Sequence, residues 1–77
     1  MTRGQFLAAV QSHDIRPDAF SFDVSADECY VMATDGDCWD VYYSERGLRT
    51  GVRHFEAEPA ALAYLLERLC KDPSAKV

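Results

Sequence analysis

Residues 38–55 read CWDVYYSERGLRTGVRHF, and their pattern is that of a β-hairpin. Trp39, Val41 and Tyr43 alternate along the first arm, and Leu48, Thr50 and Val52 along the second. The polar break Ser44-Glu45-Arg46-Gly47 separates them. Period-two alternation on both sides of a Gly-bearing break signals two antiparallel strands. With Glu45-Arg46 as the loop, Tyr43 faces Leu48, Val41 faces Thr50 and Trp39 faces Val52.

The next turn upstream is Asp35-Gly36, a strong two-residue hairpin signal. It joins a strand over residues 28–34 to the Trp39 arm. Thr34 then faces Asp37, Met32 faces Trp39, Tyr30 faces Val41 and Glu28 faces Tyr43. Both turns put Trp39, Val41 and Tyr43 on one face with Tyr30, Met32, Leu48 and Val52. A one-residue slip would turn that set to the other side. The opposite face carries Cys29, Val31, Ala33, Cys38, Asp40, Tyr42, Arg49, Arg53 and Phe55. Asp40 lies near Arg49 and Arg53 in this register, which predicts a cross-strand ion pair. Gly51, inside a strand, marks a bulge or a close approach by a partner.

Further outward, residues 19–24 alternate with Phe20, Phe22 and Val24 on one side and predict a first strand. Ser25-Ala26-Asp27 is its turn. Residues 2–13 predict a helix: Thr2 and Gln5 have capping-box spacing, and Phe6, Leu7 and Val10 make an apolar stripe. Pro17 ends that segment by pushing Arg16 out of the helical region. A second helix lies within residues 56–72. Glu56 or Glu58 opens it, and Pro59 is tolerated in its first turn. Leu62, Leu65, Leu66 and Leu69 form its stripe, with Ala61 and Cys70 at the edges. The predicted fold is α+β: a four-stranded antiparallel meander with both helices on one face, in the order α-β-β-β-β-α. Residues 1–72 form a single domain and 73–77 a loose tail.

The net charge of −5 is unevenly spread. Nine acids and one base fall within residues 14–45, while Arg46, Arg49 and Arg53 follow without an acid through residue 54. This argues against nucleic acid as a partner, which needs Lys and Arg to neutralise phosphates. It permits a basic protein partner, steered by opposite charge, and equally serves to keep a small domain soluble. The three cysteines are odd in number and include no C-x-x-C pair, so free thiols in a reducing cytosol are expected rather than a disulfide framework. No run approaches the ~20 apolar residues of a membrane span, and none reads as a signal peptide.

No catalytic set is legible. Asp35, Asp37 and Asp40 crowd one turn but lack the spacing of a calcium loop. Cys29, Cys38 and His54 would make a zinc site only if His54 shared the thiols' face, and the predicted register puts it on the other. No cofactor and no metal are expected. Tyr42, Arg49, Arg53 and Phe55 on the open face have the composition either of an interface hot spot or of arginines packed over aromatic rings to shield the sheet.

Trp39-Asp40-Val41-Tyr42-Tyr43-Ser44-Glu45-Arg46-Gly47, followed by a strand ending in an aromatic and an acidic start to a short helix, resembles small α+β immunity proteins. These accompany bacterial polymorphic and contact-dependent toxins. The likeness spans residues 30–69. The Glu56-Ala57-Glu58-Pro59 helix start departs from the Asp/Thr start more usual in such sequences. The resemblance implies a non-enzymatic cytosolic protein that binds a cognate toxin domain and blocks its active site or substrate groove. The acidic segment would suit a nuclease toxin. The residues expected at the partner surface are Asp35, Asp37, Asp40, Tyr42, Glu45, Arg46, Arg49 and Arg53. The alternative is a small assembly domain acting through homodimerisation or binding on its open sheet face.

Overall fold

Helix α1 (Arg3–Ser12) begins at the predicted capping box. Gln5 N donates to Thr2 Oγ1 at 3.1 Å, and Thr2 N donates to Gln5 Oε1 at 2.8 Å. Two of the orphan N–H groups at the helix start are thereby satisfied. Phe6 and Val10 are buried, but Leu7 faces solvent, so the stripe is narrower than its sequence suggests. The computed structural model describes residues 1–24 and 26–77.

Strands β1 (Phe20–Phe22), β2 (Cys29–Asp35), β3 (Cys38–Glu45) and β4 (Leu48–Phe55) form one sheet in the order β1-β2-β3-β4. The sheet is mixed, not the antiparallel meander expected: β1 runs parallel to β2, with Phe20 opposite Tyr30 and Phe22 opposite Met32. A parallel neighbour ordinarily needs a crossover of about a dozen residues or more. The link over residues 23–28 is shorter because β1 is short, so the chain retraces only about 10 Å at ~3.3 Å per residue. Asp23 and Glu28 carry positive φ angles of 61° and 55°, so the chain bends at both ends of the link. Asp23 Oδ1 accepts from Thr34 N at 2.7 Å, and Asp27 Oδ1 accepts from Arg46 N at 2.6 Å. Ser25, the first residue of the predicted turn, lies outside the described residues.

Both hairpin loops sit one residue later than predicted. Asp35 pairs with Cys38, so the first loop is Gly36-Asp37, and Met32 faces Val41. Glu45 pairs with Leu48, so the second is Arg46-Gly47, with φ angles of 52° and 78°. Positive φ at both central residues is the type I′ pattern that matches strand twist. Moving a two-residue loop by one position shifts the pairing by two, which leaves the strand faces unchanged.

The bulge does change them. Between the Tyr43–Thr50 and Val41–Arg53 pairs, Gly51 and Val52 stand opposite the single Tyr42. Gly51 adopts φ 64°, as the extra residue of a bulge often does. Beyond it the faces of β4 exchange. Phe55 pairs with Trp39 and joins the core side, Arg53 follows it, and His54 stands opposite Asp40. Val52 and Leu48, predicted to be core, are 40% and 66% exposed.

Helix α2 (Glu58–Lys71) lies on β2 and β3, with Ala61, Leu62, Leu65 and Leu69 buried as its stripe predicts. These residues form one core with Phe6, Val10, Tyr30, Met32 and Val41. Phe6 meets Phe20 and Phe22 edge-on at centroid distances of 5.2 and 5.7 Å. The predicted loose tail is docked: Pro73–Ala75 forms a turn of 3-10 helix, Ala75 is buried, and Lys76 bridges Ile15.

Candidate functional site

The face expected to be open is largely closed. Cys29, Val31 and Tyr42 form a second small buried cluster there, with Tyr42 only 2% exposed. The Arg49 guanidinium lies over the Tyr42 ring, 4.7 Å from its centroid. Such stacking combines cation–π attraction with cover for an aromatic face. The Cys29 thiol contacts the Ala26 carbonyl at 3.6 Å. Burial is the main cause that pushes its pKa up, so it is not an activated nucleophile.

The residues singled out from the sequence divide into four groups. Asp35 and Asp40 meet at the far end of this face, where Asp40 is paired with His54 and not with Arg49 or Arg53. Asp37, Glu45 and Arg46 are exposed at the two hairpin turns. Tyr42 and Arg49 form the stacked pair. Arg53 is on the helix side of the sheet, 5.1 Å over the Tyr64 ring. The bulge at Gly51 is the reason for the pairing of His54 and the displacement of Arg53.

A concave feature lies on the helix side of the sheet. A cleft of about 390 Å³ opens between the C-terminal half of α2 and strands β2 to β4. Tyr30, Tyr43 and Tyr64 supply its aromatic surface, Arg68 and Asp72 its charge, and Thr50 and Gly51 its rim. Tyr64 and Arg68 are four residues apart on one face of α2, and Asp72, the residue that ends the helix, follows four further on. That spacing was the sequence signal for the cleft, masked by the stronger leucine stripe beside it. Tyr30 and Tyr43 pack edge-on at 4.9 Å. Tyr30 Oη donates to Asp72 Oδ2 at 3.0 Å. Burial, then this hydrogen bond, holds the Tyr30 hydroxyl protonated above its ordinary pKa. The Ser74 hydroxyl is the first cause that lowers the Asp72 carboxyl below its ordinary range; Tyr30 adds to it. The outcome is a cleft whose polar groups are fixed: a donor phenol, an ionised carboxylate and an exposed guanidinium.

Alongside runs β4, an edge strand whose residues are exposed except Phe55. Its outer side can accept hydrogen bonds from, and donate them to, an added strand. No helix among the described residues is long and apolar enough to cross a membrane. Compared with protein-family models, curated proteins and solved structures, the chain matches none.

Proposed function

We propose that this chain is a non-enzymatic protein-binding domain that acts as an immunity protein, binding and neutralising a cognate toxin domain. The observation that carries the reading is the cleft of Tyr30, Tyr43, Tyr64 and Arg68 beside the exposed edge strand β4. Tyr and Arg dominate the energetics of protein interfaces because they bury large areas and keep a polar handle. A strand edge next to such anchors supplies main-chain hydrogen bonds to an extended segment of a partner. The W-x-V-Y-Y-S-E-R-G resemblance gives the partner its class, and the acidic segment 14–45 suits the basic groove of a nuclease toxin. Three free thiols are in keeping with action in the cytosol.

The second reading is an assembly domain. It is favoured by the length of the β4 edge, but a second copy laid on it would bring together two strands that each carry Arg49 and Arg53. Like charges on paired strands are destabilising.

The test is co-expression with the product of the adjacent upstream gene, which on this reading is the toxin. Growth should be rescued and the two proteins should co-purify in equal amounts. Tyr64→Ala and Arg68→Glu should each weaken binding by about 30-fold, the effect of losing roughly 2 kcal/mol at a hot spot. Failure to co-purify would overturn the immunity reading, and unchanged binding by both variants would remove the cleft from it.

A further inference from the structure

We propose that Asp35, Asp40 and His54 form a binding site for a divalent transition metal of the Zn²⁺ type, on the sheet face away from the helices. The proposal does not depend on the identity of any protein partner.

Three strands build the site. Asp40 is at the register position opposite His54 on β4, and opposite Ala33 on β2, two residues before Asp35. One ligand atom from each of Asp35, Asp40 and His54 lies within 4.8 Å of the others. Ligand atoms on a tetrahedral Zn²⁺ stand roughly 3.3 Å apart, from metal–ligand distances of about 2.0–2.2 Å. Closing the set on an ion therefore needs only small side-chain rotations, and the exposed Asp35 and His54 are free to make them.

The second observation concerns the burial of Asp40. Asp40 is only 8% exposed, and the group against its buried Oδ1 is its ion-pair partner, the His54 Nδ1, which makes no aligned hydrogen bond to it. The His54 side chain is 71% exposed. A buried carboxylate oxygen served by one misaligned contact keeps much of its desolvation cost. A metal ion held between it and the imidazole would remove that cost. Two carboxylates and an imidazole suit Zn²⁺ and its transition-metal neighbours, whereas Ca²⁺ and Mg²⁺ prefer shells of oxygen alone. Three protein ligands leave at least one coordination position for water or for a group from outside. The bulge at Gly51 makes the site, because without it His54 would project from the opposite face.

The test is titration of the reduced, untagged chain with Zn²⁺, followed by calorimetry, and with Co²⁺, followed by visible absorption. One equivalent should bind, the melting temperature should rise, and EDTA should reverse the rise. Co²⁺ should give the visible bands of a low-coordinate nitrogen–oxygen site, without the intense near-ultraviolet band of a thiolate. His54→Gln should lower affinity by at least ~10-fold, the smaller end of what losing even a supporting residue costs a metal site. Asp40→Asn should do the same. Because His54 is exposed, its variant keeps the test decisive if Asp40→Asn disturbs folding. Cys38→Ser should leave binding intact. Absence of Zn²⁺ binding overturns the proposal, as does binding that survives His54→Gln or vanishes in Cys38→Ser.

Discussion

Tyr42 shows how one residue can carry a sequence motif without being a contact surface. It belongs to the V-Y-Y-S-E-R-G string and alternates away from the main core, so composition leaves it either to a partner or to cover by arginine. The structure instead buries it with Cys29 and Val31 beneath the Arg49 guanidinium. Alternation shows which side of a sheet a residue takes, but not whether a loop or a long side chain covers that side. Tyr42→Ala should therefore be a stability variant. Truncating a buried aromatic costs about 3–5 kcal/mol, a large share of the stability of a domain this size. Urea denaturation should show the midpoint falling sharply. A variant as stable as the parent would mean that the second cluster contributes nothing to stability. Arg49→Glu should cost far less, because it exposes the ring without creating a cavity.

At the scale of elements, the strands, the helices and both hairpins of the sheet's antiparallel part were legible, because period and turn chemistry are local. The two loop positions were each off by one residue, an error that alternation cannot detect, since the faces are the same either way. The exact turn depends on which residues tolerate positive φ, and Arg46 does so here against preference. The parallel β1 was not legible: a short strand with two bent ends reads like one arm of a hairpin. The Asp40–His54 pair was hidden by the extra residue at Gly51, and the cleft by the leucine stripe beside Tyr64 and Arg68. A lone strand glycine suggests a bulge, and the bulge turns every later residue of β4 to the other face. Two substitutions test the bulge directly. Val52→Ala, at a partly exposed position, should cost no more than about 0.5 kcal/mol. Phe55→Ala should cost about 2–3 kcal/mol, since Phe55 packs on Trp39's side of the sheet and meets Tyr64 at 5.3 Å. Thermal denaturation of the pair gives the order. The reverse order would restore the unbulged register, and with it would remove both the metal site and the placement of Arg53 over Tyr64.

At the scale of the whole molecule, a chain of 77 residues has little core to spare. Domains of about 60 residues bury only ~60% of their unfolded surface, so ordering the last few residues matters. The C-terminal segment is clasped to the loop after α1. Arg16 N donates to the Ala75 carbonyl at 2.8 Å, and Val77 N donates to the Asp14 carbonyl at 2.8 Å. Ala75 and Ile15 are both buried and belong to the core shared by the two helices. The Pro73–Ala75 turn is set by Asp72, whose carboxylate accepts from Ser74 N at 3.0 Å and from the Ser74 hydroxyl at 2.7 Å. The same Asp72 accepts from Tyr30 in the cleft, so the clasp also holds a wall of the candidate binding surface. A chain ending at Asp72 loses the two cross-segment hydrogen bonds and the cover over Ile15. At about 1 kcal/mol net per hydrogen bond, with a further contribution from burial, the loss should be roughly 2–3 kcal/mol. For a domain of this size that lowers the melting temperature by about 10–20 °C. The Tyr30–Asp72 bond should also loosen, so the shortened chain should bind its partner less tightly even at temperatures where it remains folded. Scanning calorimetry checks the first effect and a binding titration well below the transition checks the second. A melting temperature unchanged by the truncation would return residues 73–77 to the loose tail that their composition suggests, and would separate the cleft from the clasp.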